Sequence, residues 1–139
     1  MFDLRNDDKI KAWREFRDGL ETSNDPMGDV AHFWGKAPYV SNYLNPYNPQ
    51  SWPDPWKLVI NGRYDLLAIS LGICYTFELT ERFSESTQKV YMSIEPGKEN
   101  KFMSVIDDQH VLNLHHGFKA SISDLPTNAV LLWENKNQS

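Results

Sequence analysis

"NGRYDLLAISLGICYTFELTERF", Asn61 to Phe83, decides the fold. Asn61-Gly62 is a stop-and-turn signal. From about Tyr64 to Arg82 the spacing predicts one long helix. Its first two-thirds are apolar nearly all round, and a helix of that kind is buried on every side. It is therefore the central helix of the domain, with Cys74 in its middle. The apolar run Leu66 to Tyr75, interrupted by Ser70 and Gly72, is too short to span a bilayer.

Upstream, Asp54-Pro55 starts a short helix through about Ile60, with Trp56 and Val59 or Ile60 pointing inward. Before it, residues 37–55 read as a loop. Five of the eight prolines fall there, Pro38, Pro46, Pro49, Pro53 and Pro55, interleaved with Tyr39, Tyr43, Tyr47 and Trp52. A loop this long in a compact domain is functional or held down by its own side chains. Further upstream, "DDKIKAWREFRDGLE" (7–21) is an amphipathic helix. Ile10, Trp13, Phe16 and Leu20 share one face, and Asn6 or Asp7 is the expected cap. A second helix begins at Pro26 behind the N-cap Asp25, carries Val30, Phe33 and Trp34, and ends before Pro38.

Downstream the period changes to two. "KVYMSIE" places Val90, Met92 and Ile94 on one face. "KFMSVID" and "HVLNLHH" form a hairpin across "DDQ", "SISDLP" is a turn or a single helical turn, and "AVLLWE" is a last strand. The final "NKNQS" is a polar tail expected to fray. Helices first and strands after predict a single α+β domain over 1–139, with the long helix on an antiparallel sheet of about four strands. Its parts are N-terminal helices (1–36), a proline and aromatic loop (37–55), the central helical part (56–82) and the sheet (88–134).

A length of 139 residues fits one domain with a real core. Apolar residues at 40% and charged residues at 24% describe an ordinary globular chain. A net charge of −5 argues against nucleic acid as partner, because that role needs a concentrated basic face. No membrane partner is expected. One cysteine excludes an internal disulfide, which fits a reducing compartment. The charged start "MFDLRNDDKI" lacks the apolar stretch of a secretory leader.

Candidate chemistry is sparse. A reactive thiol sits at a helix N-terminus or beside a base, whereas Cys74 lies mid-helix among apolar residues and reads as core. Asp107, Asp108, His110, His115 and His116 could be taken for metal ligands. However, six residues of strand separate His110 from His116 by about 20 Å, too far for one ion. Polar hairpin residues are the expected role, and no metal or other cofactor is assigned. No Gly-x-Ser-x-Gly or glycine-rich phosphate loop occurs. The strongest signal is the aromatic set Trp34, Tyr39, Tyr43, Tyr47, Trp52 and Trp56. Tyr and Trp supply large rigid contact area and are enriched at interface hot spots, so these six are the candidate protein-interface residues.

Helix, then sheet, with a helix start at "NGRYDLLAIS", resembles the core of transglutaminase-like and papain-like cysteine enzymes. In those, the nucleophilic cysteine opens the central helix, with a small residue a few positions later. A histidine follows on one strand and an acid or amide on the next. Over roughly residues 54–115 the resemblance puts the cysteine position at Tyr64, the small residue at Ala68, the histidine position near Phe102 and the acid position near Asn113. Tyrosine and phenylalanine cannot supply the thiolate–imidazole pair of acyl transfer, so no catalytic residue and no enzyme activity are expected.

The stretch from Phe33 to Phe83 is also similar to small proteins of T4-like tailed phages, especially marine ones. There "SWPDPW" (Ser51–Trp56), the helix segment Ala68–Thr76 and "DDQHVLN" (Asp107–Asn113) recur. That resemblance implies a phage context. The expectation is a non-enzymatic virion or assembly component, a neck, tail or baseplate accessory assembled in the host cytoplasm. It would dock on larger phage structural proteins through the aromatic and proline-rich surface, and a homo-oligomer in a symmetric ring is compatible with it. The alternatives are a transglutaminase-like cysteine enzyme, degenerate or active, and a regulator that binds a host protein.

Overall fold

A computed structural model describes residues 1–135. Four α-helices come first, α1 (Asn6–Leu20), α2 (Pro26–Trp34), α3 (Pro55–Asn61) and α4 (Leu66–Glu78). Five strands follow, β1 (Gln88–Ser93), β2 (Lys101–Ile106), β3 (His110–His115), β4 (Phe118–Ser121) and β5 (Val130–Asn135). They form one sheet in the order β4-β3-β2-β1-β5, and every neighbouring pair is antiparallel. The fold is α+β.

α4 is the axis of the molecule, and Leu67 through Phe77 are all buried. On one side it meets α2. The Trp34 ring lies so close to Gly72 that a Cβ there would come within 2.4 Å of it, which is why glycine stands at that point of the helix. Trp13 Nε1 (3.1 Å) and Trp34 Nε1 (2.9 Å) both donate to Thr76 Oγ1, which donates to the Gly72 carbonyl at 2.7 Å. One threonine thus satisfies both buried indoles, at about 0.5–1.5 kcal/mol net per bond. On its other side α4 packs on the sheet, where Leu67 and Cys74 meet Val90, Met92 and Phe102. The opposite face of the sheet carries Met103, Val105 and Val111. The connection from β4 to β5 covers it with Leu125 and Ala129.

The caps follow their sequence signals at three helices. Asp25 accepts from Gly28 N, Asp54 from Lys57 N and Asp65 from Ala68 N. Gly62 closes α3 in the left-handed region at φ 66°. The cap expected at Asn6 or Asp7 is corrected: the N-cap of α1 is Arg5, with no side-chain cap bond. Arg17 of α1 is buried too, over the rings of Trp13 and Trp56, and donates to the Leu79 carbonyl at the end of α4. Burial lowers its guanidinium pKa, and Arg14 adds to the shift.

Four further expectations differ from the structure. The long helix starts two residues later than Tyr64 and stops at Glu78, after which Glu81–Phe83 make a separate 3-10 turn. Trp56 is 42% exposed and Ile60 37%, so on α3 the inward pair is Leu58 and Val59. The sheet has a fifth strand, β4, which pairs with β3 and forms the edge of the sheet on that side. The final strand begins at Val130 and includes Asn135, so the polar tail read from 135 starts inside β5; residues 136–139 lie outside the described ones. Among the described residues no helix is long and apolar enough to cross a membrane.

Candidate functional site

The Asn61–Gly62 turn aims the chain at the start of α4. Tyr64 forms a parallel bridge with Tyr39, and Val40 N donates to the Tyr64 carbonyl at 2.9 Å. The next residue, Asp65, is buried and its carboxylate holds three backbone N–H groups. Oδ1 takes Ala68 N at 2.8 Å and caps α4; Oδ2 takes Tyr43 N and Leu44 N, both at 2.8 Å. The 37–55 loop is therefore tied directly across the N-terminus of the central helix. A second tie joins the Tyr39 hydroxyl to the Glu99 carboxylate in the β1–β2 turn. That bond holds the Tyr39 phenol proton and pushes its pKa up to about 12. Between the loop and the start of α4 lies a cavity of about 100 Å³, bounded by Asn42, Asp65, Leu66, Glu99 and Phe102 among others.

The three positions that the enzyme resemblance singles out lie around this point. Asn113, in the left-handed region at φ 70° where asparagine is tolerated, sits at the irregularity of β3. The two N–H groups on its Nδ2 are shared among three acceptors, Leu66 O (3.1 Å), Ser70 Oγ (2.9 Å) and Phe102 O (3.1 Å). One amide thus joins β3, β2 and the first turn of α4. Tyr64 is fully buried, stacked edge-on to Phe2 and Trp34, and its hydroxyl donates to Val59 O at 3.2 Å. Burial raises its phenol pKa, so the hydroxyl stays protonated. Cys74 lies eight residues after Leu66, about 12 Å along the helix axis. It is fully buried, and burial pushes its thiol up to about 12, opposite to what a nucleophile needs.

The two aspartates of this group serve the hairpin, while His110 and His115 bound β3 and His116 lies in the β3–β4 turn. Asp107 and Asp108 form the β2–β3 turn with φ of 56° and 55°. Asp107 takes Thr87 N at 3.0 Å, and Asp108 pairs with Lys89 at 2.7 Å. No cluster of three or more histidine, cysteine or acidic residues able to hold a metal occurs among the described residues.

The six candidate interface rings divide. Trp34 is fully buried, so its assignment as a contact residue is corrected: it belongs to the core, where its place on the inner face of α2 sends it against Gly72. Tyr43 and Trp52 are half-buried. Trp52 packs toward Trp133 at 6.4 Å and donates to Asn45 O at 2.7 Å; Asn61 donates to the Tyr43 hydroxyl at 2.9 Å. Tyr39 (48%), Tyr47 (70%) and Trp56 (42%) remain exposed. The sequence reading missed Asp65 and Glu99 as the residues that tie the loop. An aspartate just before an apolar helical run is a cap signal that could have found the first.

No protein-family model matches the chain, and no curated protein matches it. The resemblance to phage proteins has no match behind it. Among solved structures the calcium-bound LapG of Legionella pneumophila matches with a TM-score of 0.68. The fold resembles that of LapG. The alignment covers 93% of this chain and 75% of that one at 12% identity. LapG has a transglutaminase-like cysteine-protease fold, so the transglutaminase-like similarity holds at the level of the fold. At that identity the likeness concerns the fold alone.

Proposed function

We propose that this chain is a non-enzymatic binding protein on a transglutaminase-like fold, and that it docks on a larger protein through Tyr39, Tyr47 and Trp56. One observation carries the reading. Where α4, β2 and β3 meet, the positions that the resemblance gives to a thiolate, an imidazole and an acid hold Tyr64, Phe102 and Asn113, and the Asp65 carboxylate ties the loop across the start of α4. Acyl transfer needs an activated nucleophile beside its base, and this set contains neither. The exposed rings offer the rigid amphipathic area that interface hot spots use. The phage resemblance supplies the context: a virion or assembly component whose partners are other phage structural proteins.

The test is peptide mass spectrometry on purified particles, combined with co-sedimentation of Tyr47→Ala and Trp56→Ala variants. A fixed copy number per particle, lost in a folded variant, supports the reading. Truncating a hot-spot ring removes about 2 kcal/mol or more of binding. Absence from the particle together with capture of a host protein would replace the virion role by a host-directed one. Unchanged association of both variants would remove the rings from the interface.

A further inference from the structure

We propose that the half-open groove between the 43–54 segment and α3 binds a neutral saccharide. Its volume is about 660 Å³, within the usual range for small-ligand sites. Its lining is unlike that of most such sites, which are predominantly apolar. Here Gln50, Asp54, Lys57 and Asn61 line it together with Tyr43 and Trp52. The Gln50 carboxamide offers donors and an acceptor, and Asn61, which gives one N–H to the Tyr43 hydroxyl, keeps its oxygen and second N–H, which matches hydroxyls that both donate and accept. Asp54 and Lys57 bring one charge of each sign. An anion would meet Asp54 and a cation Lys57, so a ligand without net charge suits the groove best. Tyr43 and Trp52 are half-buried, with the Arg63 guanidinium 5.1 Å from the Tyr43 ring centroid and Trp52 packed toward Trp133, so the two rings give the groove a part-apolar wall against which the C–H groups of a sugar can pack.

The groove is held in shape before any ligand arrives. Trp52 is fixed by its bond to Asn45 O, Tyr43 by the Asn61 amide and the Asp65 carboxylate, and Pro53 by the Tyr75 hydroxyl at 2.8 Å. Preorganised walls lower the ordering cost of binding. Meanwhile the polar ends of Gln50 and Lys57 take part in none of these bonds and face no partner among the described residues, so they are available to a ligand. Tyr39, Tyr47 and Trp56 do not line the groove, so this site and the docking rings fail or succeed separately.

The experiment is a titration of the full chain with a panel of neutral oligosaccharides built from glucose, galactose, mannose and N-acetylglucosamine, read by calorimetry and tryptophan fluorescence. Inorganic phosphate and sialyllactose serve as charged controls. We expect one neutral saccharide to saturate a single site. Gln50→Ala and Lys57→Ala, both exposed and remote from the core, should each weaken it about tenfold, a loss of about 1.4 kcal/mol. Tyr47→Ala should bind as the parent does. Failure of every neutral saccharide to saturate would overturn the proposal. So would preference for a charged control, or binding indifferent to both groove variants.

Discussion

Trp34 and Trp56 are the same side chain in opposite settings. Trp34 is sealed against Gly72 with its N–H on Thr76, whereas Trp56 rests edge-on against Trp13 and leaves 42% of itself exposed. The first belongs to a layer in which Trp13, Trp34, Tyr64 and Phe77 are all fully buried. The second belongs to a surface whose rings are spaced by prolines and held by a few polar ties. Residue type was the same in both regions; what differed was the element beneath it. A ring on the inner face of a helix that meets a glycine becomes core. A ring on a proline-broken loop, or on the outer side of a two-turn helix, has only one face to bury.

That contrast can be broken most strongly from the inside. Trp34→Ala opens a large cavity beside Gly72 and should cost about 3–5 kcal/mol, measured as a drop in the urea midpoint at unchanged slope. Next is Thr76→Val, nearly the same shape without the hydroxyl. It strands two buried indole donors, at about 1–3 kcal/mol for each. If Thr76→Val proved neutral, the shared acceptor would not matter to the core.

The boundary between the two regions is Asp65. Asp65→Ala removes the cap of α4, worth about 0.5–2 kcal/mol, and releases the N–H groups of Tyr43 and Leu44. Amide exchange at those two residues should rise well before that of α4, because the loop loses its tie while the helix keeps its packing. On the outside, Tyr47→Ala should change stability by no more than about 0.5 kcal/mol, as surface substitutions do. A large loss there would mean that the ring is structural.

Much of this was legible in the sequence. Helix starts at Asp25-Pro26 and Asp54-Pro55 announce themselves by an aspartate followed by proline, and the buried character of α4 by apolar residues on all its faces. The β2–β3 hairpin showed in its alternation and its polar turn. β4 did not, because Phe118–Ser121 is only four residues long and its alternation rests on two apolar residues, Phe118, which is exposed, and Ala120; the strand exists because β3 offers it an edge. At the site, the convergence of α4, β2 and β3 was readable only by resemblance. The amide of Asn113 that joins them, and the two ties that close the loop, are long-range contacts that local pattern does not contain. Trp34 was misplaced because ring content alone cannot tell a core face from a contact face.

The central claim is that no working nucleophile serves this fold, and Cys74, the single thiol, tests it most directly. The native chain would be incubated with a thiol reagent near pH 8 and followed by intact mass. With the thiol fully buried and its pKa pushed up to about 12, labelling should wait for unfolding and become complete only in denaturant. Rapid stoichiometric labelling of the folded chain would contradict the account and return the cysteine-enzyme reading.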